Sequence, residues 1–104
     1  YGLAKKTLRD ATEAAAVEWA PEIRVNGIAP GYVLPPPGVE RSAMAMLEAS
    51  VPMKRRTLPE EVADACRFLL CSPTVTGEIL HVDGGLHLAG GGARERKRAT
   101  YGAC

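Results

Sequence analysis

The sequence predicts an incomplete α/β domain, the C-terminal part of a doubly wound parallel sheet with two strands and about three helices. Helical periodicity alternates with two short segments rich in β-branched residues. The predicted helices between the two strands give a crossover long enough for parallel pairing. Because a parallel sheet needs helices on both faces, and two strands do not make such a sheet, we interpret the chain as part of a larger domain.

The composition limits the classes of function open to this chain. It has 104 residues, 13 Lys+Arg against 12 Asp+Glu, and 46% hydrophobic residues, which are ordinary values for one small globular domain. They exclude wholesale disorder and a strongly basic nucleic-acid binder. No apolar run reaches the ~18 residues that span a bilayer, and no signal peptide is visible. We therefore expect a cytoplasmic location and no membrane contact.

The first third of the chain predicts a helix followed by a strand. Residues 1 to about 20 are rich in Ala, and Pro21 ends this helix. Apolar residues recur along it at helical spacing and form one stripe: Leu8, Ala11, Ala15 and Trp19. The segment Ile23–Ala29 is rich in β-branched residues and Pro30-Gly31 closes it, so we predict a strand that ends in a turn.

The middle of the chain predicts two more helices. Residues 34–38 hold three consecutive prolines, which exclude a helix or a central strand. Residues 40–50 form an amphipathic helix whose apolar face is Met44, Leu47 and Val51. Thr57 and Glu60 have the spacing of a capping box, so we predict a helix from there to about Cys71. The residues that it is expected to bury are Val62, Cys66 and either Leu69 or Leu70.

The C-terminal part predicts a second strand, residues 78–83, closed by Gly84-Gly85. Residues 1–89 form the domain, and residues 90–104 form a flexible Gly-rich, basic tail with four Lys+Arg against one Glu. A solvated tail is favoured over a nucleic-acid arm. The three cysteines, Cys66, Cys71 and Cys104, make no zinc set, so we expect buried free thiols, a reducing compartment and no metal.

Tyr1 and Lys5 are the first candidates for chemistry. They lie four residues apart on the predicted helix and so share one face. An ammonium beside a phenol lowers the phenol pKa from its ordinary value of about 10, which suits a general acid near neutral pH. The alternative is an exposed ring beside a solvated Lys. The second candidate is the strand end at Pro30-Gly31, because open α/β sheets bind ligands at the carboxyl ends of their strands. Asp83, before two glycines, is interpreted as a plain turn.

The ordered set of motifs resembles a known family. Tyr-x-x-x-Lys at 1–5 is followed by Ile-Arg-Val-Asn-x-Ile-Ala-Pro-Gly at 23–31, by Pro-Glu-Glu-Val-Ala at 59–63, and by Thr-Gly-Glu-Ile-x-x-Val-Asp-Gly-Gly at 76–85. This set, from Tyr1 to about Leu88, resembles the short-chain dehydrogenase/reductases, whose fold is of the Rossmann type. The segments around 29–36 and 51–56 are most similar to the pteridine-reductase-like branch.

The resemblance implies roles for five residues. Tyr1 would donate a proton to the carbonyl or imine of a small carbonyl or pterin-like substrate. Lys5 would bind the nicotinamide ribose and favour the Tyr1 phenolate, so that both residues border the cofactor. Pro30, Gly31 and Val33 would line the nicotinamide end, and NADP(H) is expected ahead of NAD(H).

The resemblance also implies a lid, a partner and an incomplete enzyme. Residues 34–56 would cover the substrate, and the first helix would pair subunits in a homo-oligomer. Pro35 stands where many relatives have a Thr near the cofactor, so that contact is not carried over. The family's Gly-rich turn and catalytic Ser precede its Tyr, so we interpret the chain as a C-terminal fragment of an NAD(P)H-dependent oxidoreductase, inactive alone. The alternatives are a non-catalytic remnant or small α/β interaction module, and a basic-tailed nucleic-acid adaptor.

Overall fold

The computed structural model describes residues 2–34, 37–38 and 40–89. Its elements are α1 (Gly2–Glu18), β1 (Gly27–Pro30), α2 (Arg41–Ser50), α3 (Pro59–Leu70), β2 (Ile79–Val82) and α4 (Leu86–Ala89). The predicted α/β class and the order of its elements are confirmed, and α4 is one short helix more than predicted. Tyr1, Pro35 and the predicted tail lie outside the described residues.

The two strands form a parallel pair, as predicted, with Gly27 opposite Ile79 and Pro30 opposite Val82. The crossover between them contains α2 and α3. The paired part of β1 is shorter than the predicted strand, which began at Ile23. Before Gly27 the chain is held by the Asn26 side chain, whose Nδ2 donates to the Val75 carbonyl at 2.9 Å. The same side chain accepts the Glu78 N–H through Oδ1 at 3.0 Å, which sets the register of the two strands at their amino ends.

Arg24 fixes the C-terminus of α3. Its guanidinium donates to the carbonyls of Leu69 at 2.6 Å, Leu70 at 2.9 Å and Val75 at 3.3 Å. The last carbonyls of a helix have no partner within the helix and carry its negative dipole end, so a cation with several donors suits them. The apolar side chains that α3 buries are Ala65 and Leu69. Arg24 thus ties the start of the β1 segment to the helix that contacts both strands.

The apolar stripe predicted on α1 is not buried within the described chain. Leu8 and Trp19 are exposed, and the residue that α1 buries is Ala16. Ala16 lies on the loop before β2, where a Cβ added to Gly77 would be 3.4 Å from the Ala16 Cβ. The stripe therefore presents apolar surface outward. None of the described helices is long and apolar enough to cross a membrane.

The start of α3 differs from the prediction. The residue at the N-cap is Leu58 rather than Thr57, and the residue that reaches back is Glu61 rather than Glu60. The Glu61 carboxylate accepts the Leu58 backbone N–H at 3.3 Å. The Thr57 hydroxyl instead donates to the Val82 carbonyl at 2.8 Å, which orients this side chain toward the end of β2. The N-cap therefore lies one residue later than predicted.

The expectation of buried thiols is wrong for the two cysteines that the structure describes. Cys66 and Cys71 are both free and both exposed. Cys66 borders an open groove of about 430 Å³ together with Arg24, Ile28 and Leu69. The face of α3 that the helical pattern assigns to the core is therefore only partly covered by described residues. By contrast, Met44 and Val51 are buried, as the pattern of α2 predicts.

We expect Arg24→Met to destabilise the chain by about 1.5–3 kcal/mol, because the change removes charge-assisted hydrogen bonds to three carbonyls. The urea midpoint of the 104-residue chain measures this loss. Arg24→Lys keeps the charge without the planar fork and should recover only part of it. The matched control is Arg41→Met at the exposed first residue of α2, and an equal midpoint for both Met variants would contradict the capping role.

Candidate functional site

The carboxyl ends of β1 and β2 meet at one edge of the parallel pair. The chain leaves β1 at Pro30, and the Gly31 N–H donates to the Val82 carbonyl at 3.0 Å. This bond continues the ladder one residue past the strand and holds the loop Gly31–Leu34 against the end of β2. Open α/β sheets bind ligands at such an edge, which makes it the candidate site of this chain.

Gly31 is required by close packing rather than by an unusual backbone angle. A Cβ at this position would lie 2.9 Å from both Cα and Cβ of Asp83 and 3.3 Å from its carbonyl oxygen. Two of these three atoms belong to the backbone and cannot move away as the end of a side chain can. The two strand ends can approach each other this closely only because residue 31 has no side chain.

Asp83 is a buried carboxylate that organises the turn after β2. One oxygen accepts the Gly85 N–H at 3.0 Å, and the other accepts the His87 N–H at 3.1 Å. The His87 ring also donates to it, through Nδ1 at 2.8 Å. Burial acts to raise the pKa of Asp83, but the hydrogen bonds from Gly85 and His87 outweigh it and hold the pKa below its ordinary value. Asp83 is thus an anion with fixed donors.

The two histidines lie face to face beside this carboxylate. The ring centroids of His81 and His87 are 3.8 Å apart, and their planes differ by 9°. The guanidinium of Arg9, on α1, lies 3.2 Å from His81 Nε2. Burial, followed by the nearby charges of His87 and Arg9, lowers the pKa of His81, and Asp83 opposes this only in part. Because Arg can only donate, His81 accepts at Nε2 and carries its proton on Nδ1.

The segment from Val51 to Thr57 crosses the same edge. The Met53 N–H donates to the Gly84 carbonyl at 3.0 Å, and the Thr57 N–H donates to the Tyr32 carbonyl at 2.9 Å. Thr57 is 5% exposed. Its hydroxyl donates to the Val82 carbonyl, which therefore accepts from both Thr57 and Gly31. One carbonyl thus joins the end of β2, the loop after β1 and the return of the crossover.

A cavity of about 360 Å³ lies between α1 and β1. Lys5 and Arg9, one helical turn apart, line one side of it, and Gly27–Ala29 line the other. Thr12 and Asn26 add neutral polar groups. Apolar side chains, among them Leu8 and Ile79, form much of the remaining wall, and His81 also borders the cavity.

The predicted site residues fall in two neighbouring places. Lys5 lines the cavity beside β1, whereas Pro30, Gly31 and Val33 lie at and beyond the carboxyl end of that strand. Tyr1 lies outside the described residues. The roles of all five residues stay predictions.

Three side chains at this edge were missed by the interpretation of the sequence: Thr57, His81 and Asp83. An Asp that is followed by two glycines and by a His four residues on is the local signal that could have indicated Asp83 as a capping carboxylate. No local pattern indicates the hydrogen bond from Thr57 to Val82, which are 25 residues apart.

The sequence is similar to known proteins over most of its length. Residues 1–87 match the family model described as Enoyl-(Acyl carrier protein) reductase. Carbonyl reductase family member 4 of Xenopus tropicalis is 42% identical over 91 residues, covering 85% of this chain and 37% of that protein. Pteridine reductase 1 of Leishmania tarentolae is 40% identical over 93 residues, covering 85% and 32%.

A solved structure is similar over the same part of the chain. FolM Alternative dihydrofolate reductase 1 from Brucella suis, in complex with NADP, matches with a TM-score of 0.78 and 34% identity. The match covers 85% of this chain and 36% of that one. The chain spans about a third of the length of the curated relatives that it matches.

We expect Gly31→Ala to destabilise the chain by about 1–3 kcal/mol, the usual cost of forcing extra atoms into a packed site. The added methyl must push the backbone of Asp83 away from β1. Gly2→Ala is the matched control, because a Cβ there meets nothing within 4 Å. Thermal unfolding compares the two, and a Gly31→Ala chain as stable as the control would contradict the close approach.

We expect Thr57→Val, which keeps the shape and removes the hydroxyl, to cost about 0.5–1.5 kcal/mol. The loss stays small because the Val82 carbonyl keeps its bond from Gly31. Thr57→Ser keeps the donor and is the control. Amide hydrogen exchange should quicken at Met53 and Thr57 in the Val variant more than in the Ser variant, and equal rates in both would show that the hydroxyl holds nothing.

Proposed function

The chain belongs to the short-chain dehydrogenase/reductase family, and we propose that it is the C-terminal part of an NAD(P)H-dependent reductase of small carbonyl or pterin-like substrates. The observation that carries the proposal is the convergence of the loop after Pro30 with the carboxyl ends of both parallel strands, in a chain whose residues 1–87 match the family. Ligands of open α/β sheets bind at this edge. Similarity to a pteridine reductase and to a reductase in complex with NADP supports the substrate class and the cofactor.

The donor set of the described residues suits a nicotinamide nucleotide. Lys5 and Arg9 supply cations beside β1, and Thr12 and Asn26 supply neutral polar groups. We assign Lys5 to the ribose, and Pro30, Gly31 and Val33 to the nicotinamide end. When bound, the cofactor supplies the hydride. NADP(H) is proposed ahead of NAD(H) because two similar Brucella structures contain NADP.

Tyr1 is assigned as the proton donor to the substrate carbonyl or imine. The four-residue spacing of Tyr1 and Lys5 in the sequence would place both side chains on one face if the helix extended to Tyr1, which supports this assignment. A positioned acid of this kind contributes typically 10²–10⁴-fold to a rate. The rest of the protein binds the pyrophosphate and supplies the catalytic Ser in this proposal, so the 104-residue chain alone is expected to be inactive.

A second candidate function is that of a non-catalytic interaction module. It is favoured by the exposed apolar side chains of α1, among which Leu3 is 79% and Val17 81% exposed. Surface of this kind is typical of a protein interface. The same surface supports a homo-oligomer in the reductase proposal. We place the protein in the cytoplasm, in keeping with the free thiols of Cys66 and Cys71.

A chimera tests the reductase proposal. Residues 1–89 replace the matching segment of Leishmania tarentolae pteridine reductase 1, and NADPH oxidation is followed with a pterin and with a panel of small carbonyl compounds. We expect turnover, a loss of at least 100-fold in kcat for Tyr1→Phe with unchanged NADPH affinity, and weaker NADPH binding for Lys5→Ala. Arg67→Ala, which removes a cation from an exposed position of α3 outside the cavity, is the control.

Two results would contradict the reductase proposal. One is a folded chimera that binds NADPH but oxidises it with no substrate of the panel, and the other is a Tyr1→Phe chimera that keeps more than about a tenth of the rate, since an acid catalyst is worth 10²-fold or more. Calorimetric titration of NADPH into the 104-residue chain should show no binding at micromolar concentration. Micromolar affinity there would contradict the assignment of the main cofactor contacts to the rest of the protein.

A further inference from the structure

His81, Asp83 and His87 bring three metal-ligating side chains together where β2 ends. One ligand atom from each lies within 4.8 Å of the others. The two histidines are the only ones in the sequence. The spacing of the cysteines predicts no metal site in this chain. The two histidines are six residues apart in the sequence, and they come together because a strand, a tight turn and a short helix follow one another.

The His81 ring supplies an unsatisfied nitrogen. Its Nδ1 is buried and has no hydrogen-bond partner among the described residues. The nearest carboxylate oxygen, Oδ2 of Asp83, is 3.8 Å away, which is too far for a hydrogen bond. A buried N–H without an acceptor is costly, and a metal binds at this nitrogen only after its proton has moved to Nε2.

The Asp83 carboxylate is held in place for the same ligand. Backbone N–H groups of Gly85 and His87 fix both oxygens, and the side chain is 7% exposed. A carboxylate retains free lone pairs after these bonds, because its two oxygens offer about four acceptor positions. His87 Nδ1 lies 2.8 Å from one of the oxygens, and the His87 side chain is 37% exposed. The cluster therefore combines two fixed ligands with one that can turn.

We propose that His81, Asp83 and His87 form a binding site for a divalent transition-metal ion such as Zn²⁺. Two imidazole nitrogens and one carboxylate oxygen are ligands that Zn²⁺, Co²⁺, Ni²⁺ and Cu²⁺ prefer, whereas Ca²⁺ and Mg²⁺ prefer oxygen ligands alone. Three protein ligands leave a fourth position for water or another ligand. Asp83 and His87 lie outside the residues assigned to cofactor and substrate, whereas His81 also lines the cavity beside Lys5.

Binding requires a defined rearrangement. A metal lies in the plane of each imidazole that binds it, and two parallel rings 3.8 Å apart do not share such a point. The exposed His87 ring must therefore turn out of the stack. At both rings the proton on Nδ1 moves to Nε2, which leaves the Nδ1 lone pair for the metal. At His81 the new Nε2–H would face the Arg9 guanidinium, so Arg9 must withdraw.

This rearrangement assigns Arg9 as a competitor of the metal. Its guanidinium favours the His81 tautomer that cannot bind through Nδ1, and its positive charge opposes a dication. Removing Arg9 should therefore tighten metal binding, whereas removing a ligand should weaken it. A cluster with only a structural role would give no such pair of opposite effects.

The test uses the 104-residue chain with Cys66, Cys71 and Cys104 changed to Ser, so that thiols do not bind the metal. Calorimetry with Zn²⁺ should give one ion per chain. His87→Ala should weaken binding at least tenfold, because even partners outside the ligand shell change metal affinity 10–100-fold. Arg9→Ala should tighten it several-fold, and Arg67→Ala, which removes an equal charge from α3, should leave it unchanged.

A second readout covers variants that fail to fold. In the chain that keeps both histidines, the two imidazole rings give two pairs of ring-proton signals in the NMR spectrum. One equivalent of Zn²⁺ should shift both pairs. Absence of Zn²⁺ binding at millimolar concentration would overturn the proposal. So would an affinity that His87→Ala leaves unchanged, or a shift confined to the signals of one ring.

Discussion

The carbonyl of Val82 is the point on which the described structure depends. It accepts the Gly31 N–H and the Thr57 hydroxyl, and so joins β2 to the loop after β1 and to the end of the crossover. Carbonyl oxygens have two lone pairs, and this one uses both for contacts between segments far apart in sequence. The missing side chain of Gly31 makes the arrangement possible, because any Cβ would strike Asp83. The candidate site exists at this edge because these contacts close it.

Features set by neighbouring residues could be predicted from the sequence. Hydrophobic periodicity and the positions of proline and glycine predict helices α2 and α3 and the parallel strands. They also predict the burial of Met44 and Val51. Features set by distant residues could not. The local pattern placed the cap of α3 at Thr57, but the Thr57 side chain is oriented toward Val82, 25 residues away, and the N-cap is Leu58.

The same difference between local and distant contacts explains which residues of the candidate site could be predicted. Lys5 is found beside β1 because the helix–strand order of the motif fixes it there, and the loop after Pro30 follows from parallel pairing. Asp83 was interpreted as a plain turn because its partners, Gly85 and His87, give only the weak pattern of a capped turn. The contact between Arg9 and His81 joins residues 72 apart, and periodicity carries no information about it.

Polar contacts, more than an apolar core, hold the described elements together. Only Ala16, Met44, Val51, Ala65 and Leu69 are buried apolar residues among those described, and two of these are alanines. Arg24 and Asn26 instead bind backbone groups of the α3–β2 connection directly. Such bonds specify geometry, but each contributes only about 1 kcal/mol, or up to about 3 where a charge takes part. These bonds thus fix how the strand ends meet, while α1 keeps an exposed apolar surface that only contacts beyond these residues can bury.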